Sequence, residues 1–473
     1  MSTDDLKFGT SGLRGLVSLL DGPPAFNWTF AFAQMLLERG TIRPGDPVFI
    51  GRDLRSSSPA ISRRVATAIA ACGLVPVDCG ELPTPAMAFH AMRLRAASIM
   101  VTGSHIPDDR NGLKFYTPSG EITKPDETAI IACHQGRSPV QTAGAGDFAA
   151  DAHDKAMVQY LDRYRAAFEP SALAGLTVGV YQHSSVARDM LAEILSDLGA
   201  NPVALGRSNV FVPVDTEALR DEDIALLREW AGERRLDAIV STDGDADRPL
   251  VADEKGEFVR GDLVGAITAS HLGARTVVTP VTSNSALETC RSFASVRRTR
   301  VGSPFVIEAM ADAASHGLVV GFEANGGVML GAGAPDLEPL PTRDAFLPIL
   351  CTLARIAIEQ KPLSAIAASY AFRQMLADRL QNVDMVAVGT FLDRLRADHE
   401  YRARVFEDHG GVAQVNLVDG VRIQVANGDI VHFRASGNAP EIRCYVEAKT
   451  GNKARELLRW GLTILLAHAT GTC

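Results

Sequence analysis

Residues 98–116, "SIMVTGSHIPDDRNGLKFY", run out of an apolar strand into Thr102-Gly103 and then set a serine beside a histidine before Pro107. Packing has no use for such a sequence, which raises the question of what a hydroxyl set between glycine and histidine at the end of a buried strand is for. A second stretch, "IVSTDGDADRPLVADE" (239–254), delivers Asp243, Asp245 and Asp247 from the end of another buried strand, followed by Arg248. Alternate carboxylates in one loop suit a hard divalent cation that takes oxygen ligands.

The rival readings of this second loop fit worse. Counted as an EF-hand from Asp243, it puts Arg248 where the sharp turn needs glycine, and it follows a strand instead of a helix. A D-x-D-x-[T/V] nucleophile loop would need threonine or valine where Asp247 stands. Three further loops hold polar groups. "GLVVGFEANGGVML" (317–330) projects Glu323 and Asn325 from a Gly-rich turn, either as a grip for adjacent sugar hydroxyls or as a polar turn between strands. "FRASGNAPEIRCY" (433–445) gathers Arg434, Ser436, the amides of Gly437 and Asn438, and Arg443, a donor set able to cradle a phosphate. "FGTSGLRG" (8–15) frees the backbone at three glycines and supplies a fixed cation, Arg14. No G-x-x-x-x-G-K-[ST] occurs, which argues against a nucleoside-triphosphate loop, and Ser104 lies in no G-x-S-x-G elbow.

Short β-branched runs alternate with helix-length amphipathic runs over the first 370 residues, the pattern of α/β units. Two units resemble each other. A strand at Val48–Ile50, a serine-rich loop and a helix from about Pro59 close on Gly73-Leu-Val-Pro76-Val77-Asp-Cys-Gly80. A strand at Thr177–Tyr181, a loop and a helix to Leu198 close on Gly199-Ala-Asn-Pro202-Val203-Ala-Leu-Gly206. Glycine ends each helix in a left-handed cap, and proline bars its continuation. A fainter third copy, strand then Ser/Asn loop then helix, begins at Arg275. The tail differs: three strands within 420–449, with a tight turn at Asn427-Gly428, and a helix over 452–469 predict an antiparallel α+β domain. Linkers are expected near 141–150, 253–261 and 360–369, and 331–345 reads as a connecting loop.

A chain of 473 residues is too long for one core and predicts three or four domains. Its net charge of −9 argues against a nucleic-acid or anionic-membrane surface. The absence of any long apolar run or signal-peptide pattern predicts a cytoplasmic protein. Seven cysteines with no C-x-x-C pair read as buried free thiols.

Taken together and in this order, "TGSHIP" with "NGLK", "DGDADR", the glutamate loop and the arginine loop resemble the α-D-phosphohexomutase superfamily, from Phe8 to about Ala448. The resemblance implies an α/β fold of four domains around a central cleft: 1–146 with the serine loop, 147–258 with the metal loop and 259–366 with the sugar loop. Domain 367–473 is α+β, with an antiparallel sheet and the phosphate loop. It implies that Ser104 is carried as phosphoserine, and that Mg2+ is held by Ser104, Asp243, Asp245 and Asp247. Lys114 would act as general acid/base, alone or together with His105, with Arg14 balancing charge. Arg248, Glu323, Asn325, Arg434, Ser436, Gly437, Asn438 and Arg443 would bind the substrate, a sugar phosphate. The reaction implied is reversible transfer between the 1- and 6-positions through a hexose 1,6-bisphosphate, by a monomer or homodimer.

Three departures from the superfamily pattern bear on the choice of sugar. Asn325 and Gly327 stand where many relatives carry serine and histidine, Asn438 replaces a threonine, and "VGSPF" (301–305) lacks the histidine of dual-specificity members. The glutamate loop and the length favour mannose phosphates, with glucose and glucosamine phosphates as alternatives. A metal-dependent sugar phosphatase using the same serine is a further one.

Overall fold

The computed structural model describes residues 6–9, 12–138, 140, 146–436 and 440–469. By its internal packing the chain forms two compact units, Met1–Val277 with Gly302–Ser369, and Val278–Val301 with Tyr370–Cys473. It contains three α/β/α domains with mixed sheets and a fourth domain with an all-antiparallel sheet.

In the first sheet, strands Pro47–Arg52, Val75–Glu81 and Ala97–Val101 run parallel. On the far side of Ala97–Val101 the direction reverses through Arg110–Thr117 and Leu13–Leu16. Side chains alternate across this reversed strand. Leu113 and Phe115 enter the apolar core with Leu13, Phe32 and Ile99. Gly112 and Lys114 therefore point to the opposite face, and register sets Arg14 directly across from Gly112. The approach is close: a methyl on Gly112 would lie 2.4 Å from the Leu13 carbonyl oxygen.

The second sheet orders Asn201–Arg207, Thr177–His183 and Ala238–Thr242 in parallel, with Pro249–Ala252 antiparallel at the edge. The shared closing pattern is real. Gly73, Gly80, Gly199 and Gly206 all have φ between 53° and 88°, the left-handed region that favours glycine. Each proline lies inside the following strand rather than ahead of it.

The third sheet is five-stranded, with Val319–Phe322, Val328–Leu330 and Leu340–Asp344 antiparallel in turn. Three sequence expectations are corrected here. The helix expected after Arg275 is a single 3-10 turn, Ser285–Glu288, held by Asn284 at its start. The 331–345 "loop" ends in a buried strand, and the 360–369 "linker" contains the helix Leu363–Ser369. Gly and Pro content disguised the strand, whose buried residues include Thr342, Arg343 and Asp344 rather than an apolar run.

In the fourth domain the tail's three strands, Val421–Val425, Ile430–Ala435 and Glu441–Ala448, are joined by Val412–Asn416 and Gln374–Gln381. Gly428 (φ 86°) closes the expected turn, and the helix Gly451–Ala469 follows. No helix among the described residues is long and apolar enough to cross a membrane.

Candidate active site

Strand Ala97–Val101 passes directly into Thr102, whose hydroxyl starts the serine loop. Thr102 Oγ1 donates to Asp53 Oδ2 (2.7 Å) and accepts the Ser104 amide (2.8 Å). Gly103 leaves room for a guanidinium: a methyl there would lie 2.6 Å from the Arg55 central carbon. Ser104 then adopts φ 55°, a left-handed conformation uncommon for serine and typical of strained functional turns. That twist aims Oγ inward, and it donates to Asp243 Oδ2 at 2.6 Å across 139 residues of chain.

Asp243 comes from the tip of strand Ala238–Thr242, with Ala246 of the same loop also left-handed (φ 58°). One oxygen from each of Asp243, Asp245 and Asp247 lies within 4.8 Å of the others, and all three residues are buried. Asp245 Oδ1 and Asp247 Oδ1 have no hydrogen-bond partner. Burial, then Asp245 and Asp247, push the Asp243 carboxyl well above its ordinary range. Asp247 is held far below it, because Arg343, Lys114 and Arg248 outweigh its burial. Two orphaned carboxylate oxygens in a buried triad of acids are the donor set a divalent cation takes.

Cations crowd the same place. Lys114 Nζ bridges Asp245 Oδ2 and Asp247 Oδ2, each at 2.5 Å. Arg248 is buried and Arg14 half-buried; each has an Nε without a hydrogen-bond partner, that of Arg248 lying 3.8 Å from Asp247 Oδ1. Burial, followed by repulsion from Arg248 and Arg343, lowers Arg14 to about 10. Guanidinium N–H groups left without a hydrogen-bond partner, one of them on the arginine that meets His105, fit an anion such as a phosphoryl group. His105 Nδ1 faces Ser104 Oγ (3.3 Å) and the Arg248 guanidinium (3.2 Å). Burial, then Arg248 and Arg14, drive its pKa far down, so the ring is neutral.

Glu323 is brought to this cluster through a residue the sequence reading missed. Arg343 contacts Asp247 Oδ2 (2.8 Å) and Glu323 Oε2 (3.4 Å), linking the aspartate loop to the glutamate loop. Asn325 braces its own turn: Oδ1 accepts the Gly327 amide (3.0 Å) and Nδ2 reaches Glu323 (3.5 Å). Gly261 backs this loop so closely that a methyl there would lie 2.1 Å from the Gly326 nitrogen.

In the other unit, Arg434 and Arg443 are cross-strand partners. Arg434 donates to Asp419 (2.8 Å) and Arg443 to Glu441 (2.8 and 3.0 Å). The Ser436 amide donates to the Glu441 carbonyl (2.9 Å), while Gly437 and Asn438 lie outside the described residues.

Thr84 and Arg55 were also missed. Thr84 Oγ1 donates to Asp245 Oδ2 (2.5 Å) and its amide to the Asp245 carbonyl (2.9 Å). Arg55 sits in "GRDLRSSS", where two opposite charges directly after a buried strand were the available signal.

The site thus sets a buried serine on a triad of acids among Arg14, Lys114, Arg248 and Arg343, in a chain of three α/β/α domains and an antiparallel fourth. Three domain families match: phosphoglucomutase/phosphomannomutase alpha/beta/alpha domain I over residues 5–138, domain II over 158–256 and domain III over 260–372. A phosphomannomutase of Sinorhizobium fredii (strain NBRC 101917 / NGR234) is 48% identical over 472 residues, covering 97% of this chain and 98% of the relative. One from Salmonella muenchen is 39% identical over 458 residues, covering 95% and 93%. The crystal structure of a phosphoglucomutase/phosphomannomutase family protein from Burkholderia thailandensis superposes with a TM-score of 0.79 at 20% identity, covering 99% and 98%. The chain belongs to the phosphoglucomutase/phosphomannomutase family, whose members are isomerase-class phosphotransferases.

Proposed function

We propose that this protein interconverts mannose 1-phosphate and mannose 6-phosphate, with Ser104 as the phosphoryl carrier and a hexose 1,6-bisphosphate as intermediate. The observation that carries the reading is the 2.6 Å contact of Ser104 Oγ with Asp243, in a triad that retains two orphaned carboxylate oxygens. The relatives named phosphomannomutase support the choice of sugar.

Asp243, Asp245 and Asp247 would hold Mg2+ together with an oxygen of phospho-Ser104. Bound there, the ion would act as a Lewis acid that eases cleavage of the serine ester. The remaining work falls to the chain. Arg14 and Arg248 direct their unpartnered N–H groups at the phosphoryl oxygens. Glu323 accepts ring hydroxyls, and Arg434, Ser436, Gly437, Asn438 and Arg443 hold the phosphate that is not reacting. In transfer, the Ser104 Oγ–phosphorus bond breaks as the sugar oxygen–phosphorus bond forms, and the sugar hydroxyl proton ends on Oγ. Lys114 and His105 are the groups assigned to relay it; His105 Nδ1 is neutral and 3.3 Å from Oγ. After the bisphosphate turns over, the same steps run in reverse from its other end.

On this reading the domains run 1–146, 147–258, 259–366 and 367–473, and the enzyme works in the cytoplasm as a monomer or homodimer. The test is to assay mannose, glucose and glucosamine 1-phosphates with magnesium and catalytic bisphosphate, alongside Ser104→Ala. The expected result is fastest turnover of the mannose ester and none by the variant. Equal rates on all three sugars would overturn the sugar choice, and full activity in Ser104→Ala would overturn the mechanism.

A further inference from the structure

We infer that Arg55 is the positioning residue of the phosphoryl-carrying loop, setting where Ser104 Oγ stands without touching the substrate. The inference rests on the proposed role of Ser104. A guanidinium has five N–H donors in a rigid fork, and here all five are used. Nε donates to Asp53 Oδ2 (3.1 Å). Nη1 donates to the carbonyls of Pro107 (2.7 Å) and Arg110 (3.1 Å). Nη2 donates to those of Ser104 (2.9 Å) and Ile106 (2.6 Å). One buried side chain thus ties down four carbonyls of 104–110, the segment that carries the nucleophile and leads back to Lys114. Neither member of the Arg55–Asp53 pair has an exposed side chain.

Asp53 closes the circuit from the other side. It accepts from Ser58 Oγ (2.6 Å), from Thr102 Oγ1 (2.7 Å) and from the Gly103 amide (3.3 Å). Thr102 Oγ1 in turn holds the Ser104 amide. Both peptide groups of Ser104 are therefore fixed, its N–H through Thr102 and Asp53 and its C=O through Arg55. A serine in the left-handed region needs such over-determination, since an unrestrained residue would relax to the β or right-handed region. The metal loop is keyed to the same cation: the Phe211 ring lies 3.9 Å from the Arg55 guanidinium carbon. A methyl on Gly244, between Asp243 and Asp245, would lie 3.1 Å from that ring. Arg55 thus registers the serine loop against the aspartate loop.

Lysine keeps the charge but has three donors on one point and cannot reproduce the fork. Misplacing a reacting atom by about 1 Å costs about 100-fold in rate. Arg55→Lys should therefore lower kcat about 100-fold at a temperature where the variant is folded, with KM within about threefold. The phosphoserine formed on incubation with hexose bisphosphate, followed by intact mass, should also exchange more slowly with sugar phosphate. A residue that serves stability alone would lower the melting temperature and leave kcat and this exchange rate unchanged. Gly103→Ala, which presses a methyl against the guanidinium, should give the same split and replaces Arg55→Lys if that variant does not fold. Unchanged kcat in a folded variant overturns the inference, as does a rise in KM with kcat constant. Failure of the wild-type enzyme to label at Ser104 would instead overturn the proposed function.

Discussion

Acid should loosen the metal loop from behind, through His183. This histidine ends strand Thr177–His183; Nε2 meets the Thr242 carbonyl at 2.8 Å, one residue before Asp243, and Nδ1 is buried with no partner. Burial lowers its pKa to about 4, against the opposing hydrogen bond to Thr242. In the unfolded chain the value is about 6.5. Above pH 6.5 the ring is neutral in both states and stability does not depend on it. As pH falls from 6.5 to 4 only the unfolded chain takes up the proton, so stability is lost, reaching a limit of about 3 kcal/mol below pH 4. At pH 5 the two values give about 2 kcal/mol. His183→Gln keeps a donor near the Nε2 position and cannot titrate. Urea unfolding of both proteins at pH 7 and pH 5, followed by a probe in the same unit, measures the difference. The wild type should lose about 2 kcal/mol more than the variant between the two pH values. Parallel losses would refute the reasoning.

Other perturbations give equally definite outcomes. Arg343→Met leaves the buried Asp247 and Glu323 short of their shared cation and should cost about 3–5 kcal/mol in chelator. Saturating magnesium should recover part of it, read as a shift in melting temperature. Thr84→Val removes a donor to the Asp245 carboxylate and should weaken divalent-ion binding about 10–100-fold by calorimetry, with little change in metal-free stability. Gly112→Ala drives a methyl against the Leu13 carbonyl and should destabilise the first domain by at least about 2 kcal/mol, seen in the denaturant midpoint.

The motifs proposed to hold chemistry were legible because each is short and contiguous. "TGSHIP" and "DGDADR" carry the serine and the acids within a few residues, at the ends of strands that periodicity alone marks. Their supports were not legible. Arg55, Thr84 and Arg343 reach the site from three other elements, 49 to 161 residues from their partners. An arginine in "GRDLRSSS" or "PTRDA" looks like any surface charge until the fold buries it. Asn325 adds a second role to the one its type suggested: its Oδ1 holds the Gly327 amide and its Nδ2 reaches Glu323, leaving one N–H for a ligand. The strand Leu340–Asp344 escaped notice for a related reason, since a strand buried through an arginine and an aspartate has no hydrophobic signature.

The reversed strand Arg110–Thr117 gives pairing register a chemical meaning. Lys114 and the residue facing Arg14 lie on one side of a two-residue alternation whose other side is core. Slipping this strand by one residue against its neighbours would leave Ser104, Lys114 and the acids in the sequence, yet rotate the ammonium into oil and a leucine or phenylalanine toward the acids. The register of that strand is as strict a requirement as the identity of the proposed phosphoryl carrier.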